Sequence, residues 1–170
     1  RLIIVQAKRG IVSERDIKIY DNVFAYNFMS KLYRHATEAD YNIGWADTNI
    51  IENRGKVFMF SLWDLPDFIK SGFLDNIKND GLLKKIKNRF PSRCVINCGT
   101  FGDIYHPHVH GDKEVLLYYV NLDWKVEWNG ETAFYSDDLK EIALTNPYVP
   151  GRMVWFDGEI PHSIKPQTHS

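Results

Sequence analysis

The segment Asp103-Ile104-Tyr105-His106-Pro107-His108-Val109-His110-Gly111-Asp112 decides how this chain is read. Three of the six histidines fall in it at alternate positions, and Asp112 continues the row. In a β-strand alternate side chains share one face, about 6.6 Å apart along the chain. Neighbouring members of such a row can converge on one metal ion, whose bonds to imidazole or carboxylate are about 2.0–2.2 Å long. A third ligand has to come from elsewhere. His162 is best placed for this, because Asp157-Gly158-Glu159-Ile160-Pro161-His162-Ser163 follows a strongly apolar run and a glycine turn. One His-x-His or His-x-Asp pair plus a distant His makes a facial triad with open coordination positions, the arrangement of non-haem Fe(II) oxygenases. The opposing reading is a surface strand whose histidines tolerate partial burial, with Pro107 marking an exposed edge. His35 and His169 have no comparable company and read as surface residues.

Outward from this segment the chain has two grammars, changing near Pro91. Beyond it, short apolar runs alternate with turn residues, predicting strands over 93–101, 103–110, 114–121, 131–135, 140–149, 152–157 and 161–165. Before it, strands are expected over 2–6, 17–20 and 57–62. Asp21 is a candidate N-cap for a helix reaching His35, with Phe24, Phe28, Leu32 and Tyr33 on one stripe. Residues 67–89 predict one or two helices broken near Gly72 or Gly81, with Lys84, Lys85, Lys87 and Arg89 forming a solvated face. The class is α+β, a strand-rich sandwich or barrel with the helices packed outside.

Composition narrows the function classes. The 170 residues carry 21 basic and 22 acidic side chains and are 44% hydrophobic, which suits one globular domain and excludes a disordered chain. The net charge of −1 gives no support to a nucleic-acid partner held by phosphate neutralisation. No apolar run approaches a membrane span, so no membrane partner is expected. Arg1 at the start suggests a trimmed end and shows no signal-peptide pattern. Cys94 and Cys98 lie on one predicted strand, about 13 Å apart, too far for a disulfide. They read as buried thiols of a reducing, cytoplasmic compartment.

The region from Cys94 onward resembles the prolyl-4-hydroxylase-like branch of the Fe(II)/2-oxoglutarate-dependent dioxygenases. The resemblance rests on the histidine segment, then Leu116-Leu117-Tyr118-Tyr119-Val120-Asn121 and Trp124, then Trp128-Asn129-Gly130-Glu131-Thr132. Pro150-Gly151-Arg152 leading into Val154-Trp155-Phe156-Asp157 follows, and Ile160-Pro161-His162-Ser163 closes the series. The fold this implies is a double-stranded β-helix, a cupin-like jelly roll over 92–170. Residues 1–91 would form the supporting strands and helices that the family, viral members included, places before the barrel. The activity implied is hydroxylation by Fe(II), 2-oxoglutarate and O2 of a peptide or small-molecule substrate, prolyl residues among the options. A non-catalytic metal-binding cupin-like module is the alternative.

Carried over by residue, His162 matches the distal iron ligand, and the proximal pair is either His110 with Asp112 or His108 with His110. The second choice makes the site one charge more positive. Tyr119 matches a contact to the 2-oxoglutarate tail carboxylate, and parity puts Val115, Leu117 and Tyr119 on one face. Asn97 is a further polar candidate for the cosubstrate, while Tyr105, Trp124 and Trp155 are candidates to line the cavity. The family also carries an Arg or Lys on a final strand, further past the distal histidine than the eight residues that follow His162 here. Since shedding that strand would leave its neighbour a bare edge, truncation is expected.

Overall fold

The structure is a computed structural model that describes residues 1–8, 17–45, 58–103, 105–111 and 113–168. In chain order the elements are β1 (Leu2–Lys8), β2 (Ile17–Tyr20), α1 (Tyr26–Glu38), β3 (Asn42–Trp45), β4 (Phe58–Trp63), α2 (Leu65–Lys70), α3 (Asp80–Ile86), β5 (Pro91–Cys98), β6 (Lys113–Tyr119), β7 (Thr132–Tyr135), β8 (Ile142–Asn146), β9 (Met153–Asp157) and β10 (His162–Ile164). The strands form a seven-stranded sheet, ordered β2-β9-β6-β1-β5-β4-β3, and a three-stranded sheet, ordered β10-β7-β8. Two antiparallel sheets stacked in this way make a jelly roll.

Alternation along the central strands sorts their side chains into two cores. Ile3, Val5, Cys94, Ile96, Leu116, Tyr118, Met153 and Trp155 face the helices, where Leu32 and Ala36 of α1, Phe68 of α2 and Leu82 of α3 cover them. Leu2, Ile4, Val115, Leu117, Tyr119, Val154 and Phe156 face the small sheet, meeting Phe134 of β7 and Ile164 of β10. The helices therefore lie outside the sandwich, and the expected common face of Val115, Leu117 and Tyr119 is present. Cys94 and Cys98 are both buried free thiols on β5.

β1 holds the centre of the large sheet. It pairs with β5 from Leu2↔Asn97 to Gln6↔Arg93 and, on its other side, with β6 from Leu2↔Tyr119 to Lys8↔Lys113. The first half of the chain thus contributes the middle strand, and β5 and β6 present no bare edge to each other.

Two local expectations need correction, and a third is met and narrowed. Residues 103–110 do not form a strand: the described part is irregular, with one bridge, His108↔His162. Pro107 accounts for this, lacking a donor for a ladder and restricting the residue before it. Asp21 does not cap α1, which starts at Tyr26 after Ala25 with no side-chain cap. Instead Asp21 accepts two bonds from Arg152, at 2.7 and 2.9 Å, and these hold its carboxyl below the usual range. The helical region breaks at Gly72, whose φ of +75° suits glycine, whereas Gly81 lies inside α3. Asn79 caps α3 by accepting from Leu82 N at 3.0 Å.

Candidate metal centre

His108 and His110 sit on the irregular segment before β6, and His162 opens β10. Backbone bonds fix them without a regular strand. His108 N donates to His162 O at 3.0 Å, His162 N returns a bond to His108 O at 3.1 Å, and His110 N donates to Gly158 O at 2.7 Å. Gly158 is where this packing is tightest. A Cβ there would lie 2.5 Å from Lys113 O and 3.1 Å from His110 Cβ, so only glycine lets the two turns meet.

The three imidazoles converge. Ring centroids are 4.5 Å apart for His108–His162 and 5.0 Å for both His108–His110 and His110–His162. One nitrogen from each lies within 4.8 Å of the others, a spacing that can hold one metal ion. His162 is buried, and the other two are half-buried. Their second nitrogens are held from behind: His108 Nδ1 lies 3.0 Å from His106 O and His162 Nδ1 lies 2.9 Å from Ile160 O. A carbonyl only accepts, so both rings carry the proton on Nδ1 and keep Nε2 as the lone-pair nitrogen. This is the usual outer support of a metal-ligating histidine. His110 Nε2 is buried without a hydrogen-bond partner among the described residues, a polar atom left unmet at the point where a metal ion would bind.

Burial keeps His110 and His162 neutral, the form that binds metal. The pKa of His110 is lowered to about 3, first by desolvation and then by the charges of His108 and Arg93. Burial likewise holds His162 well below the ordinary range, helped by His108 and His110.

The other candidates fall on the same face or off it. Asp112 lies outside the described residues, as does His169. Tyr119 is fully buried deeper in the sandwich, its hydroxyl 2.7 Å from both Thr132 Oγ1 and Asn146 Nδ2. Thr132 is two positions from Phe134, the partner of His162 in the β7–β10 ladder, so this hydroxyl lies about 7 Å further in. Asn97 pairs with Leu2 on the same face and is buried, with its Oδ1 lacking a partner among the described residues. Tyr105 and Trp124 pack on this side, Trp124 stacking on Tyr148 at 4.1 Å. Trp155 does not line it, since its ring faces the helices under the ammonium of Lys85, 4.9 Å away.

Sequence reasoning missed Gln6, whose side-chain nitrogen lies 2.7 Å from His110 Nδ1. A polar residue in the apolar alternation of β1 was the available signal. It also missed the chain behind Tyr119, where Asn146 Oδ1 accepts from Arg152 at 3.2 Å.

No protein-family model and no curated protein matches the chain. Among solved structures it is similar to a Pseudomonas putida prolyl-4-hydroxylase, with 14% identity and a TM-score of 0.57 over 89% of this chain and 86% of that one. At this identity the likeness concerns architecture. The protein therefore has a prolyl-4-hydroxylase-like jelly-roll fold and, at one end of it, three histidines spaced to hold a metal ion.

Proposed function

We propose that the protein is an Fe(II)- and 2-oxoglutarate-dependent dioxygenase, with His108, His110 and His162 as the metal ligands. The observation that carries this reading is the convergence of three imidazole nitrogens within 4.8 Å in this fold. Three neutral ligands on one side of an ion leave its other positions open. When bound, Fe(II) and 2-oxoglutarate supply the oxidative chemistry with O2, hydroxylating a substrate; the protein supplies binding and orientation.

The residues of this chain divide that work. His106 O and Ile160 O fix the tautomers of His108 and His162, so their Nε2 atoms face the ion without rearrangement. Phe134 and Phe156 stand at 6.0 and 4.6 Å from the His162 ring and keep water from its side of the site. Tyr119 is the proposed contact for the far carboxylate of 2-oxoglutarate. Its pKa is pushed up to about 12 by burial, so it stays a neutral hydroxyl. With Asn146 donating to it and Thr132 able to donate as well, its own proton is available for a carboxylate. Asn97 is the proposed second polar contact. Prolyl hydroxylation follows the named neighbour and is the substrate class to try first.

Anaerobic titration with Fe(II) and 2-oxoglutarate tests the reading. A visible metal-to-ligand charge-transfer band is expected. Metal uptake without that band favours a metal-binding cupin-like module. No uptake of metal rejects both.

The compartment proposed is the cytoplasm, where Cys94 and Cys98 stay reduced. Among the described residues no helix is long and apolar enough to cross a membrane.

A further inference from the structure

His108 and His162 have backbone carbonyls behind them, whereas His110 has a side chain. We infer that Gln6 is a positioning residue for His110, its carboxamide turning the third imidazole and its Nε2 toward the metal. The inference rests on the metal-centre reading above.

The physical requirement is simple. An imidazole that ligates through Nε2 carries its proton on Nδ1, and that proton needs an acceptor. His110 Nδ1 meets the end of the Gln6 side chain at 2.7 Å, while His110 Nε2 is the orphaned atom. The oxygen and nitrogen of a carboxamide exchange places by a half-turn about the last side-chain bond. Without metal, Gln6 Nε2 can donate to an unprotonated Nδ1. With metal on Nε2 the oxygen takes that place and accepts from Nδ1–H. Either way, one neutral side chain serves the ring, and no charge is added to the site.

Gln6 is well anchored for this task. It is 6% exposed and sits on β1 between Arg93 of β5 and Val115 of β6, on the face shared with Ile4 and Leu2. Its carbonyl accepts from Ser92 Oγ at 3.1 Å. The contact spans 104 residues of sequence, so the third ligand is fixed only when β1 is seated in the large sheet. Metal binding should then stabilise that seating by mass action.

The test is Co(II) titration of the full chain, followed by its absorption spectrum, for the parent, Gln6→Met and Gln6→Glu. Gln6→Met keeps the bulk and removes the acceptor, and lowers affinity about 10- to 100-fold. Gln6→Glu still accepts from Nδ1–H and restores affinity, which a role in packing alone would not produce. Gln6→Met binding as tightly as the parent, or Gln6→Glu losing as much as Gln6→Met, overturns the inference. A parent that takes up no Co(II) overturns the metal reading and this inference with it, before any variant is compared. Because Gln6→Met can impair folding, nitrogen-15 NMR of the Zn(II)-loaded parent gives an independent check. His110 should ligate through Nε2 with a protonated Nδ1, and ligation through Nδ1 contradicts the inference.

Discussion

The two faces of the seven-stranded sheet are made of alternate residues on the same strands, yet they are different materials. Toward the helices, Phe24, Phe68 and Phe73 pack edge-on around Tyr118 and Trp63, and the carboxylate of Glu114 is met by Arg89. Toward the small sheet, an equally buried apolar middle is flanked by polar groups at both ends. Gln6 stands with the histidines at one end, and Asn97, Tyr119, Thr132 and Asn146 at the other. Burying a polar group costs stability unless it is bonded. His110 Nε2 and Asn97 Oδ1 lack partners among the described residues on this face, as Tyr118 Oη does on the other, but only this face carries three converging imidazoles. On the proposed reading, the small-sheet face serves a ligand and the helix face serves stability.

Substitutions on the two faces should therefore fail differently. The largest effect is expected at His108. Replacing it by Ala should remove stoichiometric Fe(II) binding while the chain remains folded, and Asp112→Ala should bind nearly as the parent does, both read by anaerobic calorimetry. The reverse result would make the proximal pair His110 and Asp112. Phe73→Ala, on the helix face, should cost about 3–5 kcal/mol in denaturant unfolding, with metal affinity unchanged in the molecules that remain folded. Loss of metal affinity there would mean that the faces are not independent.

pH should separate them as well. Burial depresses the folded pKa of His110 to about 3, against about 6.5 when unfolded. Below about 6.5 the unfolded chain binds a proton that the folded chain refuses, so stability falls as pH drops toward 3. The midpoint of urea unfolding for the metal-free protein should decline over that window, and His110→Gln should flatten the decline. The smallest effect is at Asp21, whose pair with Arg152 is half-exposed. Asp21→Ala should cost no more than about 1 kcal/mol and leave Fe(II) binding alone.

Much of this organisation is legible in the sequence, for definite reasons. Period-two alternation in Val115, Leu117 and Tyr119 is enforced by burial on both faces, so their common orientation could be read directly. The histidine segment was legible in outcome but not in conformation. Pro107 prevents the strand that parity assumed, and long-range bonds to His162 and Gly158 bring the rings together instead. Asp21 looks like a cap because Asp favours that position locally, but Arg152 lies 131 residues away and wins its carboxylate. The central place of β1 was hidden for the same reason. Pairing with β5 and β6 is a property of the folded sheet, and nothing local to residues 2–8 announces which strands will flank them. Gln6 shows the cost of that blindness, since its meaning depends on a partner 104 residues away.

The most direct test of the account is anaerobic Fe(II) titration of the parent beside His162→Ala. The account predicts one ion bound per chain in the parent and none held stoichiometrically by the variant. Wild-type affinity in His162→Ala would contradict it, because the imidazole that closes the cluster from β10 would then be dispensable.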